Sequence, residues 1–504
     1  MPQLIRIAEP ALLFHHEQAM IDPRDGLSLF GPLDKGKPYG IRWGVIGPTR
    51  AIERLKKWVA RIQRPVRNDP PSDARPPFPG FEATFGIPWA PDPVTTIALP
   101  ETKLRNNAFL DDKHQRVFRT VAMFADRIIK AQKEEDTTPD IWCVVIPEFV
   151  YKNCRPLSSI DVALRVATSA RMSVKMAREY QETPSLFADD NILAEQYQYD
   201  VNFHHQLKAR LLPWNCPIQV IRETTIAHRD FLNELGNPIR DLDKLQSAIA
   251  WNISTAVFYK SGGRPWKLGA ARDGVCYVGL VFKQDEKSSK PRTACCAAQM
   301  FLDSGDGVVF KGAVGPWYRE KRGLFHLNRE AARAVVKLCL DSYAAKRRGR
   351  RPKELFLHGR VRFNEDEWAG FCDAAGATTK VVGVCIRPDS DLKLFRQGDH
   401  PVLRGLAYAI DDRKAVLWTK GFIPRIRTYP GREVPSPLLV DVCRGEADIK
   451  TVLCDILALT KLNYNACVYG DGVPVTLKFA NAVGEILTVG PLRNVPPLPF
   501  KYYI

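Results

Sequence analysis

The spacing of apolar and polar residues divides the chain into two unlike halves. In the first, short uninterrupted apolar runs alternate with stretches of helical period. Residues 41–46 read as a buried strand, Gly47-Pro48-Thr49 as a turn, and residues 51–62 as an amphipathic helix. Residues 68–93 are rich in proline and predict irregular structure, residues 114–133 predict a long helix, and Ile141–Ile146 a second buried strand. The polar residues 169–199 predict a loop or a broken helix, ahead of a helix around His204 and a strand from Ile218. Strands that are apolar throughout and alternate with helices predict a small parallel sheet covered on both faces. Such sheets hold ligands near the carboxyl ends of their strands.

The second half has a different rhythm. Strand candidates at residues 274–283, 292–302 and 307–314 follow one another across turns rich in glycine or lysine. A helix over 328–343, a strand over 354–358, a hairpin pairing 405–411 with 415–421, and a helix over 448–460 come next. A sheet led by antiparallel strands and continued by parallel strands and helices is the outline of an RNase H-like domain. The first forty residues hold a short strand at 4–7 and the turn-rich Asp22-Pro23-Arg24-Asp25-Gly26 and Phe30-Gly31-Pro32.

A chain of 504 residues exceeds one ordinary core, so two or three domains are expected. The excess of 73 basic over 56 acidic side chains, a formal charge of +17, favours a polyanionic partner, nucleic acid first. No uncharged run approaches the ~18 residues of a membrane span, and the N-terminus lacks a signal-peptide pattern, so a cytoplasmic protein is expected. None of the 12 cysteines forms a Cys-x-x-Cys pair, and Cys143 and Cys276 lie in apolar runs. Buried free thiols in a reducing compartment are the expectation.

The candidate chemistry centres on Phe203-His204-His205-Gln206-Leu207-Lys208-Ala209-Arg210. His204 and Lys208 are four apart and share one helical face. Gln219 opens the next strand, and Lys260 precedes the paired glycines Gly262-Gly263, which allow close approach of backbone to a ligand. A lysine ammonium with an imidazole and an amide around it suits a terminal phosphate better than a planar carboxylate. Other phosphate signals are weaker. Gly31-Pro32-Leu33-Asp34-Lys35-Gly36-Lys37-Pro38 nearly matches a nucleotide loop, but Pro38 replaces the hydroxyl that meets magnesium. No Gly-x-Gly-x-x-Gly occurs, which counts against a nucleotide-utilising Rossmann enzyme. The run Lys346-Arg347-Arg348-Gly349-Arg350-Arg351 reads as a backbone-tracking patch or a solvated turn.

Taken in order, these pieces resemble a prokaryotic Argonaute. His204, Lys208, Gln219 and Lys260-Ser261-Gly262-Gly263 resemble the guide-binding pocket of the MID domain. The sequences Val278-Gly279-Leu280-Val281, Leu355-Phe356-Leu357-His358-Gly359-Arg360, Thr460-Lys461-Leu462-Asn463-Tyr464-Asn465, Phe479-Ala480-Asn481 and the tail Phe500-Lys501-Tyr502-Tyr503-Ile504 resemble PIWI. Asp22-Pro23-Arg24-Asp25-Gly26-Leu27 looks like the start of a short Argonaute. The match covers essentially the whole chain and leaves no length for PAZ. It implies an α/β chain with a Rossmann-like MID domain followed by an RNase H-like PIWI domain. Residues 1–40 would pack on the body, with MID over 41–245 and PIWI over 246–504.

By the same resemblance His204, Lys208, Gln219, Lys260 and Ile504 bind the 5′-phosphate of a guide. The Ile504 carboxylate, with Gln219 a further candidate, would meet it through a structural Mg²⁺. Most Argonautes carry tyrosine where His204 falls. The catalytic positions also depart from the cleaving members: Val281 and Arg360 replace two aspartates and Asn481 the last metal ligand, and two-metal cleavage needs carboxylates. The resemblance therefore implies a catalytically inactive protein of the SPARTA type. Such a protein uses a 5′-phosphorylated guide RNA to recognise single-stranded DNA, then activates a TIR–APAZ partner that degrades NAD⁺ in antiviral or antiplasmid defence. Ala466-Cys467 and the Phe500–Ile504 tail favour that partner over a sirtuin-like or nuclease one. The alternative is an active guide-dependent nuclease using Asp303 and Asp306, or Glu365, Asp366 and Glu367; a turn and the acidic first turn of a helix explain those residues as well.

Overall fold

The computed structural model describes residues 3–134, 138–269, 271–285, 292–295, 297–301, 307–311, 314–315, 325–491 and 498–504. Its first half is built on a four-stranded sheet in the order Thr95–Ala98, Trp43–Gly47, Ile141–Ile146, Ile218–Arg222, with every pairing parallel. Trp43–Gly47 and Ile141–Ile146 are buried at every position, which is why their sequences show no alternation. Val45, Cys143 and Val145 face one side with Leu55, Trp58 and Val59 of the helix Thr49–Arg61. Ile46, Trp142 and Val144 face the other with Val117, Val121 and Phe124 of Lys113–Glu134. Helices thus cover both faces, as expected.

The second half is a mixed sheet of ten strands. Three parallel strands lie at its centre, with Glu354–Gly359 between Val275–Leu280 and Lys380–Pro388. Antiparallel strands flank them: Ala297–Phe301 and Gly307–Lys311 on one side, Leu438–Arg444 and the hairpin Leu406–Ala409/Lys414–Leu417 on the other. Gln3–Arg6 closes one edge and Leu498–Pro499 the other. Cys276, Val278, Leu355 and Leu357 pack with the helix Arg329–Lys346, while Tyr277, Phe356 and the helices Ile449–Leu459 and Val475–Leu487 join a core continuous with the first sheet.

Several elements differ from expectation. The Asp22–Gly26 block is not a turn but the start of the helix Pro23–Phe30. Asp22 caps it through Oδ1, which accepts from the Arg24 N–H at 2.9 Å, and Pro23 takes the first position. The proline-rich stretch has the expected irregular backbone apart from a short helix, Phe81–Phe85, yet it buries Phe78, Phe81, Phe85 and Trp89. Phe85 stacks on Phe258, centroids 4.5 Å apart. Residues 169–199 form a broken helix, Val174–Glu182 and Ala188–Tyr197. The strands Lys380–Pro388 and Leu438–Arg444 and the helices Gln246–Ser261 and Val475–Leu487 were not predicted. Both helices are largely buried, and Gln246–Ser261 carries almost no amphipathic period.

Candidate functional site

The helix Phe203–Leu211 begins at Asn202, whose side-chain oxygen accepts from the His204 and His205 N–H groups at 3.1 and 3.3 Å. Phe203, Leu207 and Leu211 anchor it in the core, and this orientation turns Lys208 inward. Lys208 is 3% exposed, and its Nζ donates to the Tyr503 carbonyl at 2.9 Å. From the last turn of Gln246–Ser261, Lys260 enters the same region, 1% exposed. Its Nζ donates to the Ile218 carbonyl at 3.2 Å and to Gln219 Oε1 at 2.8 Å, while Gln219 Nε2 donates to the Val220 carbonyl at 3.1 Å. Gly262 takes the left-handed conformation at φ 115° and ends the helix, so the paired glycines serve as a cap.

His204, Lys208, Gln219, Lys260 and the tail therefore meet around one spot. Its place in the sheet differs from expectation. Gln219 is the second residue of its strand, so the site lies at strand beginnings and not at carboxyl ends. No helix dipole is needed there, because the positive charge comes from side chains.

That charge is unusual. Burial, then repulsion from Lys260, pushes the Lys208 ammonium well below the ordinary lysine range. Burial, slightly opposed by Cys143, lowers Lys260 to about 7. His204 is forced well below the usual imidazole range, by burial first and then by Lys208, His205 and Lys260. The His204 residue is nonetheless exposed to solvent, with protein packed around much of it. Among the described residues neither Lys208 nor Lys260 has a carboxylate partner. The buried Lys461 does: its Nζ lies 2.9 Å from Glu9. Burial and mutual repulsion therefore make the charged form of these two lysines costly, and an anion arriving between them would restore it.

Ile504 is 6% exposed, and its neighbour Tyr503 supplies the carbonyl on Lys208. Magnesium takes hard oxygens, usually one or two carboxylates with water and substrate phosphate. Of the two residues expected to meet it, Gln219 has its Oε1 engaged by Lys260.

Two of the three positions where cleaving members carry metal ligands stand at strand ends of the second sheet. Leu280 pairs with Gly359 in parallel register, so Val281 and Arg360 each stand one residue past the ends of neighbouring strands. Val281 is buried and Arg360 exposed. Asn481 is on the helix Val475–Leu487, where its Nδ2 donates to Glu485 Oε1 at 3.1 Å. The same helix crosses close to the strand: a side chain at Gly279 would run into the Thr476 carbonyl, and Thr476 Oγ1 lies 3.0 Å from His358 Nδ1. Burial lowers His358 to about 3 and keeps it neutral. Glu367 is a capping residue, its oxygens taken by His326 Nδ1 and the Leu327 N–H at 2.8 Å each. Glu365 and Asp366 occupy the exposed first turn of that helix. Asp303 and Asp306 lie outside the described residues. Lys37 is paired with Asp140, which removes it from phosphate duty, and the run from Lys346 to Arg351 ends a helix at the surface. Among the described residues, no group of three or more His, Cys, Asp or Glu is placed to hold a metal ion. The cysteines Cys143 and Cys276 are buried and free. Sequence reasoning missed Asn202 and Tyr503: the first has a readable signal, a cap residue before a helical run, and the second none.

No family model and no curated protein matches the chain. Solved structures do. It is similar to Clostridium butyricum Argonaute, a structure with a guide DNA and a 19-mer target DNA, at TM-score 0.60 and 14% identity over 100% of this chain and 55% of that one. It is similar to Aquifex aeolicus Argonaute at TM-score 0.51 and 13% identity over 99% and 57%. A structure of Aa-Ago with externally bound siRNA gives TM-score 0.54 and 13% identity over 99% and 56%. The chain spans about half the length of these structures. Among the described residues no helix is long and apolar enough to cross a membrane. At such low identity the likeness is one of architecture, and it establishes the point that the two sheets and their order had raised: the chain has the Argonaute fold, a Rossmann-like MID domain followed by an RNase H-like PIWI domain.

Proposed function

We propose that the chain is a short, catalytically inactive Argonaute that holds a 5′-phosphorylated guide RNA and uses it to recognise single-stranded DNA. The carrying observation is the pair of buried lysines, Lys208 and Lys260, neither with a carboxylate partner among the described residues. An ammonium has three donors, and Lys208 uses one on the Tyr503 carbonyl, which leaves donors for phosphate oxygens. His204 lines the wall, and Gln219 fixes Lys260 by accepting from it. A terminal phosphate brings about two negative charges, matching the two lysines, and charge-assisted bonds in a partly dry site are strong. A magnesium ion held by the Ile504 carboxylate would add cationic charge against the phosphate. Base pairing then supplies sequence readout while the protein holds backbone and shape.

The reading is tested by comparing one short RNA with a 5′-phosphate or a 5′-hydroxyl. A clear preference for phosphate supports it; equal, salt-sensitive binding of both means that the +17 charge merely holds polyanions. Appending a single glycine after Ile504 moves the carboxylate by about one residue length, ~3.5 Å, while sparing the packing of Phe500 on Phe479. Magnesium should then stop strengthening binding of the phosphorylated RNA, and an unchanged magnesium effect removes the carboxylate role.

Inactivity is supported by Val281, Arg360 and Asn481, since valine and arginine cannot ligate a divalent ion. Guide and target incubated with magnesium or manganese should give no product; bands at a defined position would establish the nuclease alternative. A silent binder needs an effector, and a TIR–APAZ protein is the partner proposed. NAD⁺ should disappear only when this chain, that partner, guide and target are all present, and loss of NAD⁺ with this chain alone would refute the assignment of activity to the partner.

A further inference from the structure

The run Lys346-Arg347-Arg348-Gly349-Arg350-Arg351, with Lys353 just beyond it, has no part in the guide pocket. It closes the helix Arg329–Lys346 and leads into the strand Glu354–Gly359. The helix dipole explains a cation in the last turn, which covers Lys346 but not the residues after it. Their backbone is held in one shape. The Arg347 N–H donates to the Tyr343 and Ala344 carbonyls at 3.1 and 3.0 Å, and the Gly349 N–H to the Ala344 carbonyl at 2.8 Å. Arg348 at φ 52° and Gly349 at φ 81° are both left-handed, which turns the chain sharply off the helix end. Pro352 is then buried, and its carbonyl accepts from Thr379 Oγ1 at 2.7 Å.

Sheet register brings in one more cation. Glu354 pairs with Lys380 on one side and Val275 on the other, so Lys353 and Lys380 stand together where the central strands begin. The Lys380 N–H donates to the Lys353 carbonyl at 2.8 Å. Arg348, Arg350, Arg351, Lys353 and Lys380 are all exposed, and among the described residues none of them has a carboxylate partner. The nearby Glu354 is taken by Arg272. Other surface arginines do meet carboxylates, Arg329 with Asp373 at 2.7 Å and Arg229 with Asp243 at 3.0 Å.

Open charge this dense is best matched by the partner of highest charge density. Duplex DNA carries one negative charge per ~1.7 Å of its axis, twice the density of one strand. Single strands are held on aromatic platforms as well as by cations, and residues 346–353 include no aromatic side chain. A protein segment needs apolar surface to pack on, and the only apolar side chain of the turn, Pro352, is buried. Guanidinium forks suit paired phosphate oxygens.

We propose that this turn is a second nucleic-acid site, which grips the backbone of double-stranded DNA without regard to sequence. It lies where the central strands begin, whereas Val281 and Arg360 stand past their ends, about 20 Å away by strand length. The DNA it holds is therefore a different stretch from any held at those ends. The contact does not need the guide pocket. Its use, keeping the protein on DNA that carries a single-stranded target, rests on the guide-binding reading. Two linked contacts raise the effective concentration of each for the other.

The experiment titrates the full chain, without guide, with a short blunt DNA duplex. In the Arg348→Gln/Arg350→Gln/Lys353→Gln variant the affinity should fall about tenfold or more, and the slope of log affinity on log salt by about two to three. The three side chains are exposed and make no hydrogen bond among the described residues, so Tm should stay at the wild-type value. A second variant, Arg50→Gln/Arg64→Gln/Arg67→Gln, removes the same charge from exposed positions of the first half and should bind the duplex nearly as wild type does. Equal losses in both variants would mean that net charge alone holds the duplex, and unchanged affinity in the turn variant would remove the site; either overturns the proposal. Poly-glutamate titrated in parallel reads the rival occupant: binding lost there and intact for the duplex assigns the turn to an acidic protein and overturns the DNA site. Preference for a 5′-phosphate should be the same in wild type and the turn variant. If both lack it while the turn variant still loses the duplex, the turn stands and the guide pocket does not.

Discussion

Replacing Lys208 by methionine should leave the ligand-free protein about as stable as wild type and make it a poor binder of phosphorylated guides. Truncating a buried charged residue is ordinarily damaging because it strands a partner. Among the described residues Lys208 has no carboxylate partner to strand. Exchanging a buried ion for an apolar side chain of similar volume is often neutral or stabilising by about 1–4 kcal/mol, and the Tyr503 carbonyl left without its donor subtracts about 1–3 kcal/mol. The two terms are of similar size, so Tm should stay close to wild type. The control is Lys461→Met, which leaves Glu9 with Arg404 alone and should cost about 3 kcal/mol. Binding responds in the opposite sense. Losing a charged donor worth about 1.5–3 kcal/mol weakens the 5′-phosphorylated RNA by about ten- to 150-fold, with little change for the 5′-hydroxyl form. Thermal unfolding and a binding titration read the two halves separately. An unchanged phosphate preference removes the pocket assignment, and a loss of stability equal to that of Lys461→Met makes Lys208 a structural strut.

How much of this was legible in the sequence follows from whether a signal is local. Ile141–Ile146 was readable to the residue because a strand buried on both faces is apolar at every position. The long helix was misplaced by one residue at each end, Lys113–Glu134 against 114–133. His204 and Lys208 could be set on one face by spacing alone. Their environment could not. Lys208 is buried because the chain's own end, Tyr503, folds onto it across 295 positions, and Lys260 because its helix is largely buried and carries almost no amphipathic period. Proline content gave the backbone of residues 68–93 correctly and hid its burial, since prolines do not prevent Phe78, Phe81 and Trp89 from filling a core. The basic run is the mixed case. Its block of charge was plain from residue 346 to 351, but Lys380 joins it only because the strand Lys380–Pro388, which local pattern did not reveal, begins beside Glu354. Functional types at helical spacing can be read; charges gathered by sheet register cannot.

The same unpaired lysines make stability and binding depend on pH with opposite signs. Lys260 titrates at about 7 in the folded, ligand-free chain, far below the ~10.4 of an unfolded lysine. Between those values the unfolded state binds the extra proton, so stability rises with pH across that window and is lost as pH falls toward 7. A phosphate requires the charged form and takes up the proton that burial has displaced. Its affinity should therefore fall above pH 7, by as much as about tenfold per pH unit for each proton taken up. Below about pH 6 the phosphate itself becomes a monoanion and the advantage shrinks again. The ratio of affinities for 5′-phosphate and 5′-hydroxyl RNA, measured from pH 5.5 to 9, should pass through a maximum between about 6 and 7. Lys260→Met should flatten the alkaline limb and lower the maximum, because the remaining buried lysine no longer has a charged neighbour. A wild-type ratio that stays level from pH 7 to 9 would mean that Lys260 keeps its proton without a ligand, and the unpaired charge on which the pocket rests would be absent.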